Sequence, residues 1–235
     1  QPIYLAHAVE IAKQAEHVRA FAENRFALGL GVSHGPMLAN AGIDATRPLS
    51  ALRTYVSEVR AAGYDGRIYL AAIRDRMLAL AADIADGVLF AHVSRRSLPA
   101  RLSEVAPGAG AEFVVGNVIA TVLDEDPCEA RRLVRAYLAD VYAKLPHYRA
   151  SWRTAGFDEE VDRIERGLAN NDRHEVGLGL SDALLEDCSL AGAPDTIRSR
   201  LDEWFDAGVG LPVFQLVARP ADPTDQARKL VRLYE

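Results

Sequence analysis

Cysteine is scarce in this chain. Cys128 and Cys188 are the only two in 235 residues, and they stand far apart on stretches that read as helical. So placed, they offer neither a metal-ligand spacing nor a disulfide framework. They read as small packing residues in a reducing, cytoplasmic setting. An excess of positive charge is lacking too. Against 33 Asp and Glu there are 27 Lys and Arg, a net charge of −6 with no basic run, which argues against nucleic acid as the partner. No apolar run approaches the ~20 residues of a membrane span, so no membrane partner is expected. The opening QPIYLAHAVEIAKQAEH has no basic region followed by an apolar one and reads as no signal peptide. It also lacks an initiator Met, so the chain reads as either a piece of a longer polypeptide or a short form. Familiar site motifs are absent as well. His174-Glu175-Val176 has no second His for a zinc-protease helix, and Gly29-Leu30-Gly31 has no third Gly for a dinucleotide fingerprint.

What is present is an ordinary globular composition, 49% hydrophobic and 26% charged, enough for a sizeable core. The most informative stretch is IYLAAIRDRMLALAADIADGVLFAHV, residues 68–93. The apolar run 68–73 suits a strand buried on both faces. After the charged break Arg74-Asp75-Arg76, residues Met77, Leu80, Ala81, Ile84 and Ala85 recur at the spacing of one helical face. Asp86-Gly87 stops that helix, and 88–91 reads as a second strand. Strand, helix and strand in so few residues make a βαβ unit, which joins parallel strands.

The same alternation extends along the chain. An opening helix carries Leu5, Val9, Ala12 and Ala15, and a strand over 26–32 includes Gly29 and Gly31, which are costly in a strand unless a bend or ligand needs them. Ser33-His34-Gly35-Pro36 turns into a loop, and Pro48 opens a helix that Gly63 ends. The run 113–122 is the strongest strand, and Asp124 to Pro127 starts a helix carrying Ala130, Val134 and Leu138. Residues 147–187 read as an inserted helical excursion. A further helix starts at Gly192-Ala193-Pro194-Asp195, the last strand spans 212–218, and a helix follows from Thr224. Five strands alternating with helices define an α/β fold with a parallel sheet, and five cannot close an eight-stranded barrel. Ligands in such folds sit at the carboxyl ends of the strands.

Four blocks, RFALGLGVSHGPM, RPLSALRTYV, IYLAAIRDRMLALAADIADGVLF and LAGAPDTIRSRLDEWFDAGV, resemble in order and spacing the luciferase-like superfamily of flavin and deazaflavin oxidoreductases. Within it the chain is most similar to the bacterial class that uses the deazaflavin coenzyme F420. The resemblance implies a single domain over 1–235, a (β/α)8 TIM-barrel type truncated at its amino terminus, with the helical insertion 147–187 before the last strand. It implies a cytoplasmic oxidoreductase or monooxygenase that transfers hydride or activates oxygen on a small organic substrate, as a possible homodimer. The cofactor would be an F420-type deazaflavin or, alternatively, FMN. The positions matching the family's cofactor site are Gly29, Gly31, Ser33, Ala71, Ala72, Arg74, Arg76, Met77, Gly87 and Val88, and His34 matches a position on the substrate side, a candidate proton partner. Two guanidiniums beside a helix start also make a physical case for a phosphate site. The chain departs from the family there, with Arg74-Asp75 in place of the usual Gly-Pro. His92, Asn117, at a position taken to face the barrel, and Arg219 after the last strand are weaker site candidates. The rival reading is a non-catalytic shortened barrel serving binding or assembly.

Overall fold

The computed structural model describes residues 1–23, 25–33, 35–43, 45–107, 109–217 and 223–232. Along the chain these form α1 (Ala8–Phe21), β1 (Ala27–Leu30), α2 (Gly35–Asn40), α3 (Pro48–Ala61), β2 (Arg67–Ala71), α4 (Asp75–Ile84), β3 (Gly87–Ala91) and α5 (Leu98–Val105). There follow β4 (Val114–Leu123), α6 (Pro127–Asp140), α7 (Pro146–Thr154), α8 (Asp158–Ala169), α9 (Arg173–Gly179), α10 (Asp182–Cys188), β5 (Ser189–Gly192), α11 (Pro194–Asp206), β6 (Leu211–Leu216) and α12 (Pro223–Arg232). The contacts divide into two units, one of Gln1–Leu89 with Ser103–Val115, the other of Phe90–Leu102 with Gly116–Glu235.

In the first unit β1 pairs with β2, and β2 with β3, all in parallel. The register sets Gly29 beside Tyr69, Tyr69 beside Gly87, and Ala71 beside Leu89, so these residues share one face of the sheet. Leu28, Leu30, Ile68, Leu70 and Val88 alternate onto the other face, where they are buried with Ile11, Ala15, Leu52, Val56 and Leu78 of the helices. The chain's first residues, expected to lead straight into a helix, are instead extended. The Ile3 amide donates to the Gly31 carbonyl at 2.9 Å and the Gly31 amide to the Gln1 carbonyl at 3.1 Å, a parallel bridge centred on Pro2. The amino ends of β2 and β3 are tied by Asp86. Its Oδ2 accepts from the Ile68 amide at 2.8 Å and from Arg60 at 2.7 Å, while Arg60 also donates to the carbonyls of Tyr64 and Gly66.

Gly87 stands in that corner because nothing larger fits. A Cβ there would lie 2.5 Å from the Val114 carbonyl oxygen and 2.8 Å from the Tyr69 ring. Replacing it with Ala forces backbone apart, and overpacking of this kind costs about 1–3 kcal/mol. Urea unfolding of Gly87→Ala should show that loss, and an unchanged midpoint would refute the packing argument.

In the second unit β4 pairs in parallel with both β5 and β6. Ala120 and Thr121 have a partner in each, so the two strands flank β4 on opposite edges. β5 is a strand beyond the five read from sequence. Helix α6 begins as its acids and proline suggest: Asp126 accepts from the amides of Cys128 and Glu129, and Pro127 takes the first turn. The stretch read as a helical excursion folds as α7 to α10, with β5 between it and β6. Trp152, Phe157 and Leu184 of this stretch are buried, as are Leu190 of β5 and Trp204 of α11.

Candidate functional site

At the carboxyl ends of β1 and β2 the face shared with Tyr69 carries small residues. An added methyl at Gly29 would meet no atom within 4 Å, and one at Gly31 would meet only the Ala71 methyl, at 3.0 Å. Ala71 itself is exposed. Ser33, just past β1, holds a left-handed backbone with φ of 64°, a conformation that costs a non-glycine residue energy and is often kept where a loop is shaped for a ligand. Gly29, Gly31 and Ala71 thus form a flat shelf of backbone and methyls, with Ser33 on the loop that follows.

The next turn is cationic. Arg74 takes the N-cap position of α4 with an extended backbone and no side-chain cap bond. Arg74 and Arg76 are exposed, and neither guanidinium has an ion-pair partner among the described residues. The first amides of a helix lack intrahelical partners and carry the positive end of its dipole. Asp75, in the first helical position, opposes an anion but is outnumbered. Met77 is half-buried one residue past Arg76, and Ala72 is buried, its amide donating to the Leu89 carbonyl at 3.1 Å.

Two positions implied by the resemblance are put to other use. Gly87 and Val88 open β3 at its amino end. The space a Gly87 side chain would need is filled by the Tyr69 ring and the Val114 carbonyl, and Val88 is fully buried. Neither position presents an exposed side chain. His34 and Arg219 lie outside the described residues.

The second unit holds a buried polar cluster at the carboxyl ends of β3 and β6. His92, wholly buried with φ of 49°, places Nε2 3.0 Å from Gln215 Oε1. Because that oxygen only accepts, Nε2 carries the proton and Nδ1 the lone pair; Nδ1 has no partner among the described residues. The Tyr142 hydroxyl donates to the same oxygen at 3.2 Å, and the Tyr142 and His92 ring centroids lie 4.0 Å apart. Trp152 Nε1 donates to the His92 carbonyl at 3.0 Å. Burial lowers the imidazole pKa to about 4 and raises the Tyr137 and Tyr148 phenols well above their ordinary range. Sequence flagged His92 but not the partners around it, since Tyr137 on α6, Tyr142 in the following turn and the Tyr148–Trp152 pair on α7 come from separate segments.

Asn117, taken from the sequence to face the barrel, proves fully buried and alternates away from the face of Val118, Ala120 and Gln215; its side-chain amide has no partner among the described residues. Cys188 is buried and Cys128 exposed. Among the described residues no cluster of side chains could hold a metal ion, and no helix is long and apolar enough to cross a membrane.

Parallel strands with helical crossovers define an α/β protein. The sequence model of the luciferase-like monooxygenase family matches residues 1–210, and the chain belongs to that family. It is 27% identical over 220 residues to a 5,10-methylenetetrahydromethanopterin reductase of Archaeoglobus fulgidus, covering 79% of this chain and 65% of that protein. A reductase of the same name from Methanolobus tindarius is 23% identical over 261 residues, covering 97% of this chain and 78% of that one. Among solved structures, the coenzyme F420-dependent tetrahydromethanopterin reductase from Methanopyrus kandleri superposes with a TM-score of 0.75 at 18% identity, covering 99% of this chain and 79% of that one. The EDTA monooxygenase from Chelativorans sp. BNC1 superposes with a TM-score of 0.64 at 14% identity, covering 97% and 71%. The fold is therefore α/β of the truncated TIM-barrel, luciferase-like type.

Proposed function

We propose that this chain forms part of a deazaflavin-dependent oxidoreductase, which passes a hydride between an F420-type coenzyme and a small organic substrate. The observation that carries the reading is the shelf. Gly29 offers open space above backbone, Ala71 presents only a methyl beside Gly31, and the α4 start follows with two arginines free to meet a phosphate. These residues fit a flat ring with a phosphate-bearing tail. The likeness to the two curated reductases and to the F420-dependent structure supports a deazaflavin over FMN, and a methylene-bearing reduced pterin is the substrate class to try first.

A bound deazaflavin supplies two-electron hydride chemistry. The chain's own part would be to seat it: the Gly29 and Gly31 backbone and the Ala71 methyl would border the ring, and Arg74 and Arg76 would hold the phosphate through charge-assisted hydrogen bonds. His34, the residue after Ser33, is the proposed proton partner.

Titration of the chain with oxidised and reduced F420, and with FMN in parallel, tests this. Arg74→Ala with Arg76→Ala should weaken F420 binding at least about tenfold. Gly29→Val should weaken it too while leaving the unfolding midpoint nearly unchanged, because the space above Gly29 is open. Binding of FMN alone would move the protein to flavin-dependent oxygen chemistry. Binding of neither would leave the non-catalytic reading in possession.

A further inference from the structure

A second concave site lies in the helical layer of the second unit and shares no residue with the shelf. It is a cleft of about 320 Å³, within the size range of small-ligand pockets. Its floor is Ser189, Ala191 and Gly192 of β5. One wall comes from α6, where Pro127 and Arg131 are a helical turn apart, and another from α11, where Thr196, Arg200 and Glu203 fall on one face at i, i+4 and i+7.

The charges in this cleft are unevenly matched. Glu203 is engaged by Arg95 at 2.6 Å. Arg131 and Arg200 are half-buried, and neither has an ion-pair partner among the described residues. Arg200 donates instead to the backbone carbonyl of Glu186, which fixes one edge of its guanidinium and leaves the rest of the fork unassigned. Among the described residues Glu186 is the one carboxylate of the lining without an ion pair, so two arginines outside ion pairs face a single such acid. An arginine cannot shed its proton to escape poor solvation. Burial accordingly pulls the Arg200 pKa down from its ordinary value, against the Glu186 and Glu203 charges that support it. The start of α11 adds to the same side: its N-cap, Ala193, has no side chain to accept from the first amides, and Thr196 of the first turn borders the cleft.

We propose that this cleft binds a small oxyanion, a phosphate or carboxylate group gripped by the Arg200 fork and by Arg131, with Thr196 and the α11 start completing the donor set. A planar guanidinium fork matches both groups, and the cleft holds a molecule the size of a phosphate monoester or a short dicarboxylate.

Isothermal titration of the full chain with inorganic phosphate and, separately, with succinate tests the proposal and distinguishes the two anion classes. Saturable binding of either anion is expected. Arg131→Gln and Arg200→Gln should each weaken it at least about tenfold, while Arg198→Gln, on the same helix but outside the cleft, should leave it unchanged. Amide resonances of Gly192 and Thr196 should shift with the titration. Should Arg200→Gln fail to fold by circular dichroism, Arg131→Gln and the amide shifts decide. No saturable binding of either anion overturns the site. So do equal affinities in Arg131→Gln and wild type, an equal loss in Arg198→Gln, or shifts confined to other amides.

Discussion

Trp152→Ala should cost about 3–5 kcal/mol of stability, the range for truncating a buried large aromatic. Trp152 is wholly buried in the second unit, and its indole N–H supplies the His92 carbonyl with a hydrogen bond at 3.0 Å. Truncation removes both the packing and the donor, leaving a buried carbonyl short of a partner. Trp152→Phe separates the two contributions: it restores most of the apolar volume and none of the hydrogen bond, so a loss of about 1–3 kcal/mol is expected. Urea unfolding at neutral pH measures both. A loss under about 1 kcal/mol for Trp152→Ala would mean that the α7 contact is ornamental.

Acidification should expose the second large effect. His92 is held neutral in the fold with a pKa of about 4, against 6.5 for the free side chain, because burial penalises the imidazolium; the Gln215 contact opposes this only in part. Between those two values the unfolded chain binds the extra proton, so stability falls as pH falls. The slope is about 1.4 kcal/mol per pH unit and the total roughly 3 kcal/mol by pH 4, with no contribution from this group above pH 6.5. The groups around the imidazole are Gln215 and the phenols of Tyr137, Tyr142 and Tyr148, none of which supplies a compensating negative charge. His92→Gln, which cannot titrate, should lose less stability than wild type between pH 7 and pH 4.5. Parallel curves for the two proteins would show that His92 is already protonated in the fold.

Much of the architecture was legible in the sequence because its strands are short apolar runs bounded by glycine, proline or charge. Runs 26–32, 68–73, 88–91, 113–122 and 212–218 each contain or overlap an observed strand. β5 was not legible. Ser-Leu-Ala-Gly is too short and too weakly apolar to stand out, and it is extended because it pairs with Ala120 to Leu123, far away in the chain. At the candidate site, glycines within a strand were the useful signal: Gly29 and Gly31 do leave a bare surface. At Gly87, read from sequence as a helix stop, the missing side chain makes way for the Tyr69 ring and the Val114 carbonyl. A sequence shows where a side chain is absent, and only packing shows what fills the space. The surroundings of His92 were hidden for a related reason, since Tyr137, Tyr142 and Tyr148 converge through the turn between α6 and α7 and not through helical periodicity.

The Asp86 carboxylate, shared between a strand amide and Arg60, has a wider consequence for how this unit tolerates change. Together with Gly87 it locks the floor of the sheet, where substitutions are expected to destabilise the fold. The opposite rim is under no such constraint: Ala71, Arg74 and Arg76 are solvent-facing. Substitutions can therefore accumulate at the rim while the floor keeps the chain folded.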